Sequence, residues 1–166
     1  MLYELVHAID SVVEFENVDA HCDIPCKIYD PSAAQIAALS VVRLLDILEE
    51  TAGGGAIASL EAQNTITRCI LQKEQEAEKL KHEVRIIWGD YFKAPQIEAH
   101  PEIHDLTHQI MMKASACKQS VLRKDGEALV ELVNLFAEIF WQTKEISTTR
   151  QLCPYPPELA TVYPVF

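Results

Sequence analysis

Apolar residues recur at helical spacing almost from the first position, with Leu2, Leu5, Ile9 and Val12 forming one stripe of the segment "MLYELVHAIDSVVEFENVDA". Residues three and four apart share a helix face, so this stripe reads as an amphipathic helix. The period returns after Pro31, where Ala34, Ala37, Val41, Leu44 and Leu48 predict a helix over about residues 31–50, capped by Asp30 with Pro31 in its first turn. Thr51-Ala52-Gly53-Gly54-Gly55 breaks it. A longer stripe, roughly residues 57–90, runs through Ile66, Ile70, Ala77, Leu80, Val84 and Ile87 with Lys and Glu between, and ends before Pro95. Pro101 opens a third, on Ile103, Leu106, Ile110, Ala114, Cys117 and Val121. Asp125-Gly126 is expected to turn the chain into a last helix carrying Leu129, Leu132, Phe136 and Phe140. The tail "CPYPPELATVYPVF" holds too much proline to continue as helix, and no stretch shows a strand period. The expected fold is therefore all-α, an antiparallel up-down four-helix bundle over residues 31–148 followed by a proline-rich tail at 149–166. Trp88, Phe92, Phe136, Phe140 and Trp141 are expected in its core.

Charge narrows the partners. The chain of 166 residues carries a formal −11, which disfavours nucleic acid and anionic membrane surfaces, and an anionic small substrate would need a local positive region. No apolar run approaches the roughly 20 residues that cross a bilayer. The first 20 residues hold five acids and no Lys or Arg, unlike an export signal. Five cysteines, an odd number, then point to reduced thiols in a cytoplasm. Cys69 and Cys117 fall on apolar helix faces and read as buried small residues; Cys153 reads as a spare thiol in a tail that dresses a subunit contact or hangs free.

That leaves His21-Cys22-Asp23-Ile24-Pro25-Cys26. Pro25 removes a backbone donor and restrains Ile24, so the two cysteines sit on a tight loop that can turn both sulfurs toward one point. Two thiolates beside a nitrogen suit nickel, copper, zinc or iron, and a redox disulfide is the chief rival. A zinc site would normally want four side-chain ligands, and no second Cys/His pair of the usual spacing supplies them. A chain beginning at His21 would add its α-amine and the amide of Cys22, a planar N2S2 set that favours Ni(II) or Cu(II), with the imidazole as an axial donor. His100, His104 and His108 also repeat every four residues, but without a third ligand they read as a solvated face.

These residues resemble the nickel-containing superoxide dismutase family, whose members begin, after processing, with a hook of the form H-C-x-x-P-C-x-x-Y-D-P. Here it is His21, Cys22, Pro25, Cys26, Tyr29, Asp30 and Pro31. The likeness continues in order through "KEQ" at 73–75, "WGDYFK" at 88–93, "HPEIH" at 100–104 and "FWQTK" at 140–144. It implies that residues 1–20 are a propeptide removed by a dedicated peptidase, and that 21–30 is a hook binding one nickel ion per subunit through His21, Cys22 and Cys26. It further implies dismutation of superoxide by Ni(II)/Ni(III) cycling, a homohexamer, and Tyr29 and Tyr91 as the tyrosines that flank the site and order water or limit anion access. Asp23 and Pro25 would shape the hook, with a cis peptide at Ile24-Pro25.

The chain departs from the family's pattern at three positions. Lys27 stands where many members have Gly. Ala37 and Glu76 occupy the positions of the family's Glu/Arg pair, which orients the axial histidine; Glu76 is expected to replace that pair by contacting His21 directly. Loss of the pair keeps a second reading open, a non-enzymatic nickel- or copper-binding relative.

Overall fold

The computed structural model describes residues 27–54 and 57–166. The leading amphipathic stripe and the segment from His21 to Cys26 lie outside the described residues.

Helix α1 spans Ser32–Gly53. Its start follows the expected chemistry: Asp30 Oδ1 accepts the Ser32 N–H at 2.7 Å, satisfying a backbone donor that the first turn leaves open. Helix α2, Leu60–Ile86, is capped by Ser59, whose hydroxyl accepts from the Ala62 N–H at 3.1 Å. It runs on into one wide turn over Ile87–Tyr91. A short helix α3, Ala94–Ala99, precedes α4 at Ile103–Gln119 and α5 at Arg123–Gln142. Helix α1 packs on α2 and α5, and α4 packs on the same two, closing the four-helix bundle that the stripes predict. Leu45, Leu80, Val84, Ile103, Ile110, Leu129, Val133, Phe136 and Phe140 are all fully buried in its centre. No described helix is long and apolar enough to cross a membrane.

Three expectations change. Gly126 does not turn the chain; it lies in the first turn of α5, and the turn comes earlier, at Ser120–Leu122. A Cβ on Gly126 would stand 2.9 Å from Val42 Cγ2 and 3.0 Å from Leu45 Cδ1, so glycine permits the close approach of α5 to α1. At the far end of the bundle the stripes overreach: Ile70 and Val121 are exposed and, with Ile57, Ile66 and Leu122, line an open cleft of ≈ 630 Å³.

The tail is the third change. It folds back as an antiparallel hairpin of β1, Thr148–Leu152, and β2, Ala160–Pro164. Cys153 N–H donates to Leu159 O and Val165 N–H to Ser147 O, so the odd-numbered residues of β2 face β1 and its even-numbered ones turn their backbone outward. That outer edge is met by side chains. Asn134 of α5 donates to Ala160 O at 2.8 Å and accepts from Val162 N–H at 3.2 Å, while Gln35 of α1 donates to Val162 O at 2.9 Å. Arg150 of β1 pairs with Glu131 and Glu138 of α5. Cys153 is buried, its thiol donating to Tyr155 O, rather than hanging in a free tail.

Lys73 is also unlike the solvated residue its pattern suggests. It is only 1% exposed, and its ammonium donates to the carbonyls of Cys117 at 2.8 Å, Lys118 at 3.1 Å and Ser120 at 2.5 Å. These are the open acceptors at the C-terminus of α4, where the helix dipole favours a cation. Burial lowers the Lys73 pKa, and burial pushes the neighbouring Cys117 thiol up to about 11, so that cysteine is a neutral packing residue. Cys69 is likewise buried.

Candidate functional site

The described chain resumes at Lys27, one residue after Cys26, with φ 54. This left-handed conformation suits glycine and costs a side-chain-bearing residue about 1 kcal/mol, which explains why a glycine is expected here and what a lysine must tolerate. Lys27, Ile28 and Asp30 are exposed, whereas Tyr29 is half-buried and packs against the core. The segment therefore enters the bundle on Tyr29, just ahead of the α1 cap.

Tyr29 meets Tyr91. Their ring centroids are 5.7 Å apart at 52°. Tyr91 arrives there through the wide turn that ends α2, in which the Phe92 N–H donates to Ile87 O at 3.3 Å across five residues. Such single wide turns insert a residue and re-aim the side chains that follow. Phe92 is consequently buried against Phe136, at 5.9 Å, while its neighbour Tyr91 lies against Phe140 at 4.8 Å and stays half-exposed beside Tyr29.

The end of α5 completes the surroundings. Tyr91 Oη is 2.6 Å from Thr143 Oγ1, and Lys144 Nζ stands over the Tyr91 ring at 4.8 Å and over the Phe140 ring at 5.0 Å. A cation over an aromatic face is held by the ring quadrupole without losing contact with water. Lys93, two residues beyond Tyr91, donates to Gly89 O at 3.0 Å. An acidic chain thus places the exposed Lys144 over Tyr91, with exposed lysines at 27 and 93 each two residues along the chain from a member of the tyrosine pair. Thr143 and Lys144 were not singled out from the sequence; the signal available was their place in "FWQTK", one turn beyond the core residues Ile139 and Phe140.

Of the residues expected at a site, the structure brings Tyr29 and Tyr91 together. His21, Cys22, Asp23, Pro25 and Cys26 lie outside the described residues, as does the Ile24-Pro25 peptide. Ala37 is fully buried and offers only a methyl group. Glu76 is half-buried on α2, with Oε1 accepting from Gln72 Nε2 at 2.8 Å. His104 does not join His100 and His108 as a ligand set: its Nδ1 accepts from Trp88 Nε1 at 2.9 Å, and His100 Nδ1 lies 3.5 Å from Glu102. No three His, Cys, Asp or Glu side chains converge to hold a metal among the described residues.

Comparison with known proteins places this geometry. The family described as nickel-containing superoxide dismutase matches residues 16–144, from ahead of the hook to Lys144, and the match stops before the β-hairpin. The chain is similar to the nickel superoxide dismutase of Streptomyces coelicolor, 38% identical over 128 residues that cover 77% of this chain and 91% of that one. The enzyme of Streptomyces seoulensis is 35% identical over the same coverage. Among solved structures, native nickel superoxide dismutase superposes with a TM-score of 0.63 at 39% identity, covering 75% of this chain and 99% of that one. A crystal structure with nickel ligation corresponding to the oxidised state gives 0.64 at 38% identity, with the same coverage. Agreement in sequence, helix order and extent shows that the chain belongs to the nickel-containing superoxide dismutase family, a family of oxidoreductases.

Proposed function

We propose that this chain, once cleaved before His21, binds one nickel ion per subunit and disproportionates superoxide to dioxygen and hydrogen peroxide. The single observation that carries this reading is the family match over residues 16–144, which takes in His21, Cys22 and Cys26 together with Tyr29 and Tyr91, whose rings meet in the structure. The residues fit nickel on their chemistry: the amine and imidazole of His21, the amide of Cys22 and the thiolates of Cys22 and Cys26 would hold it, a nitrogen and sulfur donor set suited to Ni(II). Nickel so held supplies a one-electron Ni(II)/Ni(III) couple, which thiolate and amide donors bring within reach. The remaining cysteines at 69, 117 and 153 are separate and buried, so they do not compete for it.

The protein's own part is access and orientation. Tyr29 and Tyr91 flank the site, ordering water and limiting which anions approach. Lys27, Lys93 and Lys144 supply the positive region that a small anion needs on an acidic surface, where field lines from clustered charges steer diffusion. Removal of residues 1–20 takes away five of the 25 acids and no base, leaving 20 acids against 14 bases, a formal −6, which further lowers the repulsion. Asp23 and Pro25 shape the hook. The reading includes a dedicated processing peptidase, assembly as a homohexamer of four-helix bundles and a cytoplasmic location.

Intact mass and metal content of protein from nickel-fed cells co-expressing that peptidase test the reading. A chain starting at His21 with about one nickel per subunit and dismutase activity is the expected result. A processed chain that takes up copper, or nickel without turnover, would support the non-enzymatic relative, which the buried Ala37 and the Gln72-bonded Glu76 favour. On the enzymatic reading, Glu76 would give up its bond to Gln72 and stand in for the family's Glu/Arg pair at the His21 imidazole. Glu76→Gln should then lower turnover about 10- to 100-fold and alter the spectrum of the oxidised nickel; unchanged values for both would remove Glu76 from the site.

A further inference from the structure

The hydroxyl of Thr143 sits 2.6 Å from Phe140 O and 2.6 Å from Tyr91 Oη. A threonine hydroxyl has one proton, and a carbonyl oxygen can only accept. The Thr143 proton therefore goes to Phe140 O, and the contact with Tyr91 has one remaining polarity: the phenol donates and Thr143 Oγ1 accepts. Both positions are held from the backbone side. The Thr143 N–H bonds Ile139 O at 3.1 Å as the last turn of α5 closes, and the following residues fold back on it through Lys144 N–H to Trp141 O and Ile146 N–H to Trp141 O. The Tyr91 ring is fixed by Phe92, Phe140 and Tyr29 around it.

We propose that Thr143 is a positioning residue for the metal site: it accepts the hydrogen bond of the Tyr91 phenol, locks the hydroxyl in one orientation and so withholds that donor from anions that reach the Tyr29 side. This rests on the reading of the hook as the nickel site. A phenol in an anion channel would otherwise donate to whatever anion arrives and hold it there. With its proton committed to α5, Tyr91 confines without binding, while Lys144 over its ring supplies attraction that is not a fixed hydrogen bond. A steering cation beside a tyrosine that cannot grip suits a site that must release peroxide as readily as it admits superoxide.

The test is a cycle of Thr143→Val, Thr143→Ser, Tyr91→Phe and the Thr143→Val/Tyr91→Phe double variant in the processed, nickel-loaded protein, with azide as the probe anion. Thr143→Val keeps the shape and removes the acceptor. It should tighten azide inhibition about tenfold, the size of one hydrogen bond to a charged group. Thr143→Ser should restore the native value, and the double variant should match Tyr91→Phe alone. A role confined to packing would lower the melting temperature and leave azide affinity unmoved, or shift it equally with and without the Tyr91 hydroxyl; either result overturns the proposal.

A second readout needs no nickel. In the full chain purified without metal and carrying ring-labelled tyrosine, the C–O stretch that Tyr91→Phe removes should shift from a donor to a non-donor value in Thr143→Val and return in Thr143→Ser. An unmoved band overturns the hydrogen-bond assignment. If the band moves but wild-type protein loaded with nickel shows no dismutase activity, the reading of the site has failed, and the positioning role falls with it while the hydrogen bond stands.

Discussion

Replacing Cys22 and Cys26 together by serine should abolish nickel retention and lower dismutase activity by at least about 100-fold. The floor comes from the chemistry of the ligands. Losing a partner that merely orients a ligand already costs roughly 10- to 100-fold in metal affinity or activity, and on the proposed reading two of the donors themselves are exchanged. A serine hydroxyl stays protonated near neutrality and gives little electron density to the metal, so neither binding nor the higher oxidation state is supported. The bundle should fold as before, because the buried core among the described residues runs from Ala34 onward and Asp30 still caps α1. Metal analysis, a superoxide assay and a thermal melt on the processed variant decide it. Nickel retained at one ion per subunit would mean that the donors lie elsewhere in the chain.

The largest expected effect on stability comes from Lys73→Met. The native ammonium ties α2 to the C-terminus of α4 through three carbonyls of residues 117, 118 and 120. Methionine fills most of the volume but leaves those acceptors buried without a donor. A hydrogen bond to a charged group contributes about 1.5–3 kcal/mol, and part of that sum is offset by the cost of desolvating the lysine, so a net loss of about 3 kcal/mol is expected. At about 2–4 °C per kcal/mol for a domain of this size, the melting temperature should fall by roughly 6–12 °C. Lys79→Met, on an exposed position of the same helix, should stay within about 0.5 kcal/mol of the native protein. Equal melting of the two variants would show that the α4 carbonyls are satisfied without Lys73.

Both predictions begin in short sequence motifs, yet they differ in how much of their physics is local. The proposed hook is read from six residues alone: Pro25 disfavours helix and two cysteines and a histidine stand at a spacing that suits a tight metal-binding loop, while the Tyr29-Asp30-Pro31 run leads into a cap that the structure contains. Lys73 looks like any other charge between apolar positions of α2. Nothing within a helical turn distinguishes it from Lys79, since its acceptors lie more than 40 residues away and exist only once α4 has ended beside it.

The same contrast runs through the rest of the molecule. Helix stripes such as Ala77, Leu80, Val84 and Ile87, or Ile103, Leu106, Ile110 and Ala114, specify four helices and the faces they bury, because burial repeats with the helical period. From that period and the short connections the bundle itself follows, and the order of blocks from the hook to "FWQTK" identifies the family. Those properties are written locally, in spacing and residue type.

What the period cannot carry is the meeting of distant backbones. Gly126 reads as a turn until α5 is laid against Val42 and Leu45 of α1. The hairpin has no alternating stripe to announce it, since the edge of β2 is completed by Asn134 and Gln35, whose partners stand 28 and 127 residues away. Tyr91 and Thr143, 52 residues apart, share a proton only because a wide turn at the end of α2 aims one at the end of α5. Sequence alone thus determined the helices of the bundle and the family, and offered the donor set proposed for the metal. Only the tertiary structure decided which polar groups are buried and what they hold, because a hydrogen bond across the fold depends on where two elements come to rest and leaves no periodic trace in either.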